Sequence, residues 1–312
     1  MGSYRYVNTT IYSMIDFIKT YTETKENIES RIKNDFPDNE TKCYLNYSTG
    51  EVQYPCRRYF ENMEVRITNT QGIIRNSIHK YFNIKNYSED NNYTDFYYSD
   101  LLKAFEQFQQ DLNEDISEFK VTNLEFGLNI QTSLNPKSIL ENNFVMFNFD
   151  EYNQKDTFKS KGFYKQYNRS EYFVKIYDKG LQYKLPYNLL RVEVKITDSK
   201  LLKREFGIYT IKDISDKDKL GLMFNFLLKR FDEINIIDSF SVQEMAGKEK
   251  IFFELGKSPS YWREIKNSNK SSSYYYDKRD AYNMLLNKYE LDTIQSELRD
   301  LLIAKFQTLI TG

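Results

Sequence analysis

The stretch that decides the fold runs from Gly162 to Ile196 and reads GFYKQYNRSEYFVKIYDKGLQYKLPYNLLRVEVKI. Two runs within it, Phe173–Tyr177 and Arg191–Ile196, alternate apolar and polar residues, which is the pattern of half-buried β-strands. The polar residues whose side chains can take part in a reaction are Tyr164, Tyr167, Tyr172, Lys175, Lys179 and Glu193. The stretch therefore predicts two strands that carry potentially reactive side chains.

Positive charge is concentrated around the same stretch. Residues 155–204 hold 13 lysines and arginines against five aspartates and glutamates, a net charge of +8. The formal net charge of the whole chain is −1, so all other residues together sum to −9. A basic segment that is rich in tyrosine is what a phosphate-handling surface needs.

Length and composition are those of a soluble globular protein. The 312 residues are enough for two domains with a real core, and 40% hydrophobic with 29% charged residues is an ordinary mixture. The longest apolar runs, such as Leu220–Leu228, are far too short to span a bilayer, and no secretory signal pattern is visible. We therefore expect a cytoplasmic protein, in which Cys43 and Cys56 are reduced thiols rather than a disulfide.

Helical and strand patterns divide the chain into two parts. Residues 1–205 contain the alternating runs and an amphipathic helix over Leu101–Ile116, whereas residues 206–312 carry apolar residues at helical spacing, as in Leu291–Ile310. We predict an α+β domain over residues 1–205, with an antiparallel sheet that has helices packed on one face. A mainly helical domain that binds DNA or a partner follows over residues 206–312.

Four predicted strands would place useful side chains on one polar face of this sheet. Side chains alternate along a strand, so each strand contributes one such residue opposite its apolar residues. These residues are Glu125 in Leu124–Ile130, Glu193 in Arg191–Ile196, Lys175 in Phe173–Tyr177 and His79 in Ile73–Phe82. Two carboxylates, a cation and an imidazole suit a divalent metal and its phosphate ligand. The alternative is that they form the wet face of an ordinary half-exposed sheet.

Several short motifs occur in a recognisable order. They are Asn76–Phe82, Tyr164 with Asn168–Ser170, Lys175–Gly180, Leu190–Ile196 and Leu201–Ile208. Their order and spacing resemble the replication initiators of rolling-circle elements, of both the filamentous-phage gene II type and the plasmid Rep type, within the HUH-like nickase superfamily. The resemblance covers roughly residues 60 to 214.

The resemblance implies a site-specific nickase of single-stranded DNA with an RRM/HUH-like fold. In such families a tyrosine attacks a phosphodiester and becomes joined to the 5′ phosphate, which frees a 3′ hydroxyl that primes replication. Tyr164 matches the position of the nucleophile best, and Tyr167 is the alternative. A phenol has a pKa near 10 and needs a nearby cation to act as a nucleophile, a role that Lys175 would fill.

The resemblance also implies a cofactor and partners. The cofactor would be Mg²⁺ or Mn²⁺, held by Glu125 and Glu193 with His79 as a third ligand. The partner would be single-stranded or hairpin DNA, and a helicase is a further candidate, whereas a membrane is not expected. The expected DNA contacts are Lys165, Arg169, Lys179, Arg191 and Lys195. Such a protein would act as a monomer or a homodimer.

Two departures from the family pattern leave other functions open. Most members place two histidines around one hydrophobic residue on a central strand, and this chain has one histidine. Gln166 stands where the family has a glycine after the tyrosine. The alternatives are a catalytically degenerate protein that holds DNA at an origin, and a phage or host interaction protein whose basic strands bind an acidic partner.

Overall fold

The structure is a computed structural model that describes residues 14–34, 41–152, 163–239, 245–268 and 271–312. Within these ranges, eleven strands form two sheets. They are β1 (Ile15–Thr22), β2 (Lys42–Leu45), β3 (Val52–Phe60), β4 (Met63–Ile67), β5 (Gly72–Ser77), β6 (Lys120–Gln131), β7 (Phe144–Phe147), β8 (Tyr164–Asn168), β9 (Tyr172–Asp178), β10 (Leu189–Ile196) and β11 (Ile234–Ile236). The large sheet has nine strands in the order β2-β3-β4-β5-β1-β6-β10-β9-β8, and β7 pairs with β11 in a small second sheet. All of these pairs are antiparallel.

The helices alternate with the strands and then dominate the C-terminal third. They are α1 (Lys25–Asn34), α2 (Ile78–Tyr87), α3 (Tyr98–Leu112), α4 (Pro136–Asn142), α5 (Lys179–Tyr183), α6 (Ser199–Phe206), α7 (Ile211–Ile214), α8 (Lys217–Asp232), α9 (Gly247–Gly256), α10 (Pro259–Asn267), α11 (Ser272–Lys288) and α12 (Thr293–Thr311). Among the described residues, no helix combines the length and the apolar character that crossing a bilayer requires.

The main core lies against one face of the large sheet. β6 is near its centre, and the buried side chains of Leu124, Phe126 and Leu128 alternate onto that face. Helices α8 and α12 pack over them: the rings of Phe224 and Phe306 stack with centroids 4.1 Å apart, and the Phe306 centroid lies 6.3 Å from that of Phe126. Removal of these apolar surfaces from water stabilises the layer by about 25 cal/mol per Å².

A smaller cluster forms around Trp262 on α10. Its indole Nε1 donates a hydrogen bond to the Gly256 carbonyl at 2.8 Å, and its ring packs edge-on against Tyr282 of α11 and Phe149. Helices α9, α10 and α11 therefore share a hydrophobic cluster that is separate from the core under the large sheet.

The predicted α+β class with a large antiparallel sheet is confirmed, whereas the RRM/HUH-like packing stays a prediction. The main core takes residues from both sides of the predicted boundary between residues 205 and 206: Leu202, Ile208 and Leu302 belong to one cluster. Part of the predicted helical domain, namely α8 and α12, thus packs on the sheet.

The predicted strand Ile73–Phe82 is wrong in its second half. Strand β5 ends at Ser77, whose hydroxyl accepts a hydrogen bond from the Lys80 backbone N–H and so caps α2. The residues that follow, including His79, are therefore helical, and the alternating pattern that continues past Ser77 does not describe a strand.

The hairpin of β2 and β3 is covalently closed. Cys43 and Cys56 form a disulfide across it, with their Cα atoms 4.3 Å apart. The expectation of two reduced thiols is therefore wrong for this structure.

Candidate active site

Three carboxylates from neighbouring strands meet on the face of the sheet opposite the main core. Asp16 lies on β1, Glu125 on β6 and Glu193 on β10, and these strands are adjacent in the sheet. One oxygen from each carboxylate lies within 4.8 Å of the other two, and all three residues are buried. The strand order therefore brings together acids that are separated by more than 60 residues along the chain.

A β-bulge turns Asp16 into this cluster. Ile15 pairs with Phe126 and Ile18 pairs with Leu124, so two residues of β1, Asp16 and Phe17, stand opposite one residue of β6. Bulges re-aim side chains next to functional sites. Here the bulge brings Asp16 to the same face as Glu125, whereas strict alternation would place it with Ile18 in the core.

A glycine makes room for the third acid. Gly127 pairs directly with Glu193 across β6 and β10. A Cβ atom on Gly127 would lie 2.4 Å from the Glu193 Cβ atom and 2.9 Å from the Val192 carbonyl oxygen, which is too close for any side chain. The Glu193 side chain can pack down onto β6 because position 127 has none.

Three cations surround the acids. The Lys175 ammonium lies 3.0 Å from Glu193 Oε1 and 3.4 Å from Glu125 Oε1 and so bridges two carboxylates. The Arg191 Nε donates to Glu193 Oε2 at 2.6 Å, and the Lys195 Nζ lies 2.7 Å from Glu125 Oε1. The acid cluster is therefore electrostatically balanced by side chains of β9 and β10.

The cations keep two of the buried acids, Glu193 and Asp16, ionised. Burial alone would raise the pKa of Glu193, but the nearby Lys175 and Arg191 outweigh it and hold that pKa well below the usual range. Burial likewise opposes ionisation of Asp16, and the charges of Arg191 and Lys179 lower its pKa nevertheless. Burial opposes the charge on Lys175 as well, and its two carboxylate neighbours raise its pKa above the usual value.

Asn92 fixes the far side of the cluster. Its amide nitrogen donates to Asp16, and its amide oxygen accepts hydrogen bonds from the Lys179 ammonium and the Tyr183 hydroxyl, both at 2.7 Å. Ser77 donates to the other Asp16 oxygen. The segment between α2 and α3 is thus tied to the acids through one buried side chain.

A cavity of about 320 Å³ opens above the acids. Its wall is formed by Asp16, Lys80, Asn92, Glu125, Tyr164, Lys175, Tyr177, Lys179, Gln182, Tyr183, Glu193 and Lys195. Three carboxylates, four lysines and three tyrosines therefore face one space, which gives it metal-binding, anion-binding and nucleophilic groups at once.

The tyrosines in this wall differ in their surroundings. The Tyr177 hydroxyl donates to Glu193 Oε2 at 3.3 Å, and burial raises its pKa well above 10. The Tyr183 hydroxyl is bound to Asn92, and burial raises its pKa too. Tyr164 is half-buried on β8, the edge strand of the sheet. Of the three, Tyr164 is the one that lies on an edge strand of the sheet.

Tyr167 does not reach the cavity. It is on the face of β8 opposite Tyr164, 2% exposed, with its ring stacked on Phe147 at 4.8 Å. Burial raises the pKa of its hydroxyl, for which the described residues provide no hydrogen-bond partner. The interpretation of Tyr167 as an alternative nucleophile is therefore corrected: strand alternation puts it in the core.

Two predicted DNA contacts share that opposite face. The Lys165 ammonium donates to the Phe144 carbonyl at 3.0 Å and lies 4.1 Å from the centre of the Tyr152 ring. The Arg169 guanidinium lies over Phe147 at 5.0 Å. Neither side chain lines the cavity, in contrast to Lys179 and Lys195.

Arg191 is buried rather than available to DNA. Its side chain is 0% exposed, and its NH1 group donates to Asn129 Oδ1 at 3.0 Å while its NH2 group lies 3.6 Å from Asp16. The predicted role of Arg191 as a DNA contact is corrected, because the side chain holds the acids in place.

His79 also lies outside the acid cluster. It is on α2, fully buried, with its ring stacked on Phe96 at 4.7 Å and its Nε2 atom 3.2 Å from the Thr94 hydroxyl. Burial lowers its pKa to about 3, so the imidazole is neutral. His79 therefore does not join Glu125 and Glu193 as a ligand, and Asp16 is the third acid instead.

Sequence reasoning missed Asp16 and Asn92. Asp16 stands alone between apolar residues in Met14–Ile18, and a single carboxylate inside an apolar run is the signal that could have identified it. Asn92 lies in an Asn-rich segment in which nothing distinguishes one asparagine from the next.

The arrangement can hold a divalent cation through hard oxygen ligands, bind phosphate through lysines and present a phenol beside both. No protein-family model matches the chain, and no curated protein matches it significantly, so the family resemblance rests on the motifs alone.

Proposed function

We propose that this protein nicks and rejoins single-stranded DNA through a tyrosine–5′-phosphate intermediate, as the replication initiator of a phage, plasmid or integrative element. The observation that carries the proposal is a single cavity whose wall includes Tyr164, the acid cluster and Lys175. The ordered motifs over residues 60 to 214 and the net charge of +8 over residues 155–204 add support.

Mg²⁺ or Mn²⁺ fits the donor set of the cluster. Asp16, Glu125 and Glu193 offer carboxylate oxygens within 4.8 Å of one another, and such cations prefer oxygen ligands. A cation bound there would polarise a phosphate in the cavity. Lys175 lies between two of the acids and would compete for their oxygens, so it is the cation that neutralises the cluster when no metal is bound.

The chain's own residues would perform the transfer. The Tyr164 oxygen forms a bond to phosphorus, the bond from phosphorus to the 3′ oxygen breaks, and the phenol proton leaves as the 3′ oxygen gains one. Lys175 and Lys195 would offset the phosphate charge, and Lys179 borders the same space. Rejoining is the reverse attack by the 3′ hydroxyl.

The test is formation of a covalent adduct. Single-stranded DNA from the gene's own replicon, labelled at its 3′ end, is incubated with the protein and Mn²⁺, and labelled protein is separated under denaturing conditions. We expect an adduct from the wild type and at least a hundredfold less from Tyr164→Phe, because the attacking oxygen is gone. Tyr209→Phe removes an exposed hydroxyl outside the cavity and should leave the yield unchanged. Equal yields from wild type and Tyr164→Phe would refute the assignment of the nucleophile.

A catalytically degenerate DNA-binding protein is the second candidate. One observation favours it: Lys175, Arg191 and Lys195 already balance the three acids, so the cluster needs no metal to be stable. This candidate predicts DNA binding that is unchanged by chelators and by Glu193→Gln, with no adduct under any metal. An adduct that requires Mn²⁺ excludes it.

A further inference from the structure

The face that bears the cavity continues across the sheet as a basic and aromatic surface. Residues that pair directly across strands share a face, so the register of β1, β5, β4 and β3 gives two neighbouring rows on it. One row runs Lys19, Arg75, Glu64, Tyr59, and the next runs Tyr21, Ile73, Arg66, Arg57. Apart from Glu64, these are four cations, two tyrosines and an isoleucine. We name these seven residues the outer face.

Like charges are paired directly on the outer face. Lys19 stands opposite Arg75, and Arg57 stands opposite Arg66. Such pairs destabilise a sheet unless an anion lies between them. Glu64 stands opposite Arg75 on this face. Its carboxylate is mostly buried and lies 2.9 Å from the Arg75 guanidinium. Four cations against this carboxylate leave an excess of positive charge.

Two of these cations are uncompensated. Among the residues that the structure describes, the side chains of Lys19 and Arg66 form no ion pair and no hydrogen bond, and the buried Arg66 Nε atom has no partner. The Arg66 side chain as a whole is only partly buried, so its charged guanidinium can be reached by an anion that arrives from solvent. Phosphate oxygens satisfy such groups well.

Aromatic side chains alternate with the cations. Tyr59 is 48% exposed, and Tyr21 is half-buried two residues after Lys19, on the same face of β1. Phe17 joins this surface to the cavity, because the Lys195 ammonium lies 4.4 Å from the centre of its ring and also contacts Glu125. Unpaired bases stack on exposed rings, whereas a duplex hides its base faces.

We infer that the outer face binds a single strand of nucleic acid that runs from the cavity across β1, β5 and β4 to β3. Five strand spacings of about 4.8 Å separate β10 from β3, so the path is roughly 24 Å long. That length suits a few nucleotides, with phosphates on the four cations and bases on the rings. The inference rests on the proposed function for the choice of a single strand, and it assigns residues that lie outside the catalytic cavity.

The test is direct binding of fluorescent oligo-dT to the full-length protein in EDTA, followed by fluorescence anisotropy over a range of salt concentrations. The variant is Lys19→Gln with Arg66→Gln, which breaks no ion pair of the described residues. We expect at least a tenfold loss of affinity at low salt. The slope of log K against log salt should fall by about 1.4, since each lost phosphate contact contributes about 0.7 for single strands.

The same variant has a second signature. Because it removes like-charge repulsion, its melting temperature should equal or exceed that of the wild type, so weaker binding cannot be ascribed to unfolding. Lys248→Gln with Lys250→Gln removes two exposed cations of α9 and should bind oligo-dT within twofold of the wild type. Tyr59→Leu should weaken binding about tenfold through lost stacking.

Three results would overturn the inference: an unchanged affinity and salt slope in Lys19→Gln with Arg66→Gln, an equal loss in the Lys248 and Lys250 control, or tighter binding of blunt duplex than of oligo-dT. The test is independent of catalysis, because EDTA prevents any metal-dependent step. A failure of the nickase proposal would show as no adduct with salt-dependent oligo-dT binding that still needs Lys19 and Arg66, whereas a failure of this surface would leave the adduct and remove that dependence, so the two failures give different patterns.

Discussion

At the level of single residues, Lys179 stands out because a lysine that is 1% exposed has no carboxylate contact among the described residues. Its ammonium donates to the Asn92 amide oxygen at 2.7 Å and lies 5.0 Å from the centre of the Tyr183 ring. Burial, reinforced by the charge of Arg191 and opposed by Asp16, lowers its pKa to about 7. Titratable groups in clefts whose pKa is strongly shifted are candidates for proton transfer, and Lys179 is such a group.

This shift predicts how stability depends on pH. Below about pH 7 the folded and unfolded states both hold the Lys179 proton, whereas between pH 7 and about 10.4 only the unfolded state holds it. The unfolded state therefore binds more protons in that window, and the free energy of unfolding rises with pH. Relative to Lys179→Met, the wild type should gain about 1.4 kcal/mol per pH unit from pH 7 to pH 9 in urea unfolding. Parallel curves for the two proteins would mean that Lys179 titrates normally.

At the level of secondary structure, the close contact of β6 and β10 gives a prediction about Gly127. An alanine there would place its Cβ atom 2.4 Å from the Glu193 Cβ atom, so one strand must move. We expect Gly127→Ala to destabilise the protein by about 1–3 kcal/mol, as overpacking does. Displacement of Glu193 should also weaken the Mn²⁺ binding that we propose for the acid cluster at least tenfold, as measured by calorimetry.

Gly221 provides the matched control. It lies in α8, and an alanine Cβ atom there would have open space around it: apart from the backbone of its own helix and its chain neighbours, no atom of the described residues lies within 4 Å. Gly221→Ala should therefore leave Mn²⁺ binding unchanged and stabilise the protein by up to about 1 kcal/mol through helix propensity. If Gly127→Ala behaves like Gly221→Ala in both measurements, the close packing of Glu193 on β6 is not what positions the acid.

Strands that alternate regularly could be predicted from the sequence. Leu124–Ile130, Phe173–Tyr177 and Arg191–Ile196 all lie within β6, β9 and β10, and the shared face of Glu125, Lys175 and Glu193 followed from alternation. The errors occurred where the period breaks. The alternating run continues past the Ser77 cap, so it wrongly predicts a strand at His79.

Asp16 was overlooked for a related reason. It is brought to the acid face by a bulge, and a bulge depends on how β1 pairs with β6 rather than on a pattern within β1. Non-local pairing of this kind also decides which acids meet, since β1 joins the sheet between β5 and β6. Local periodicity predicts well on which face of a sheet a side chain lies, and it predicts poorly which strands are adjacent.

At the level of the whole molecule, the C-terminal helix contributes to the sheet's core. Leu302 of α12 is 0% exposed and belongs to the same cluster as Leu124 and Phe126 of β6. The smaller cluster around Trp262 is separate. Two clusters in one chain predict two units of local stability that do not coincide with a boundary at residues 205 and 206.

Hydrogen exchange can distinguish these units. Leu302→Ala should cost about 2–5 kcal/mol, as a cavity in a packed core does, and should lower the protection of the β6 amides because α12 covers that strand. Trp262→Ala should lower protection in α9, α10 and α11 and leave β6 protected. If Leu302→Ala left β6 as protected as in the wild type, α12 would belong to an independent helical domain, and the sheet with its acid cluster would fold without it. A loss in β6 would instead mean that the geometry of the candidate site depends on the last helix of the chain.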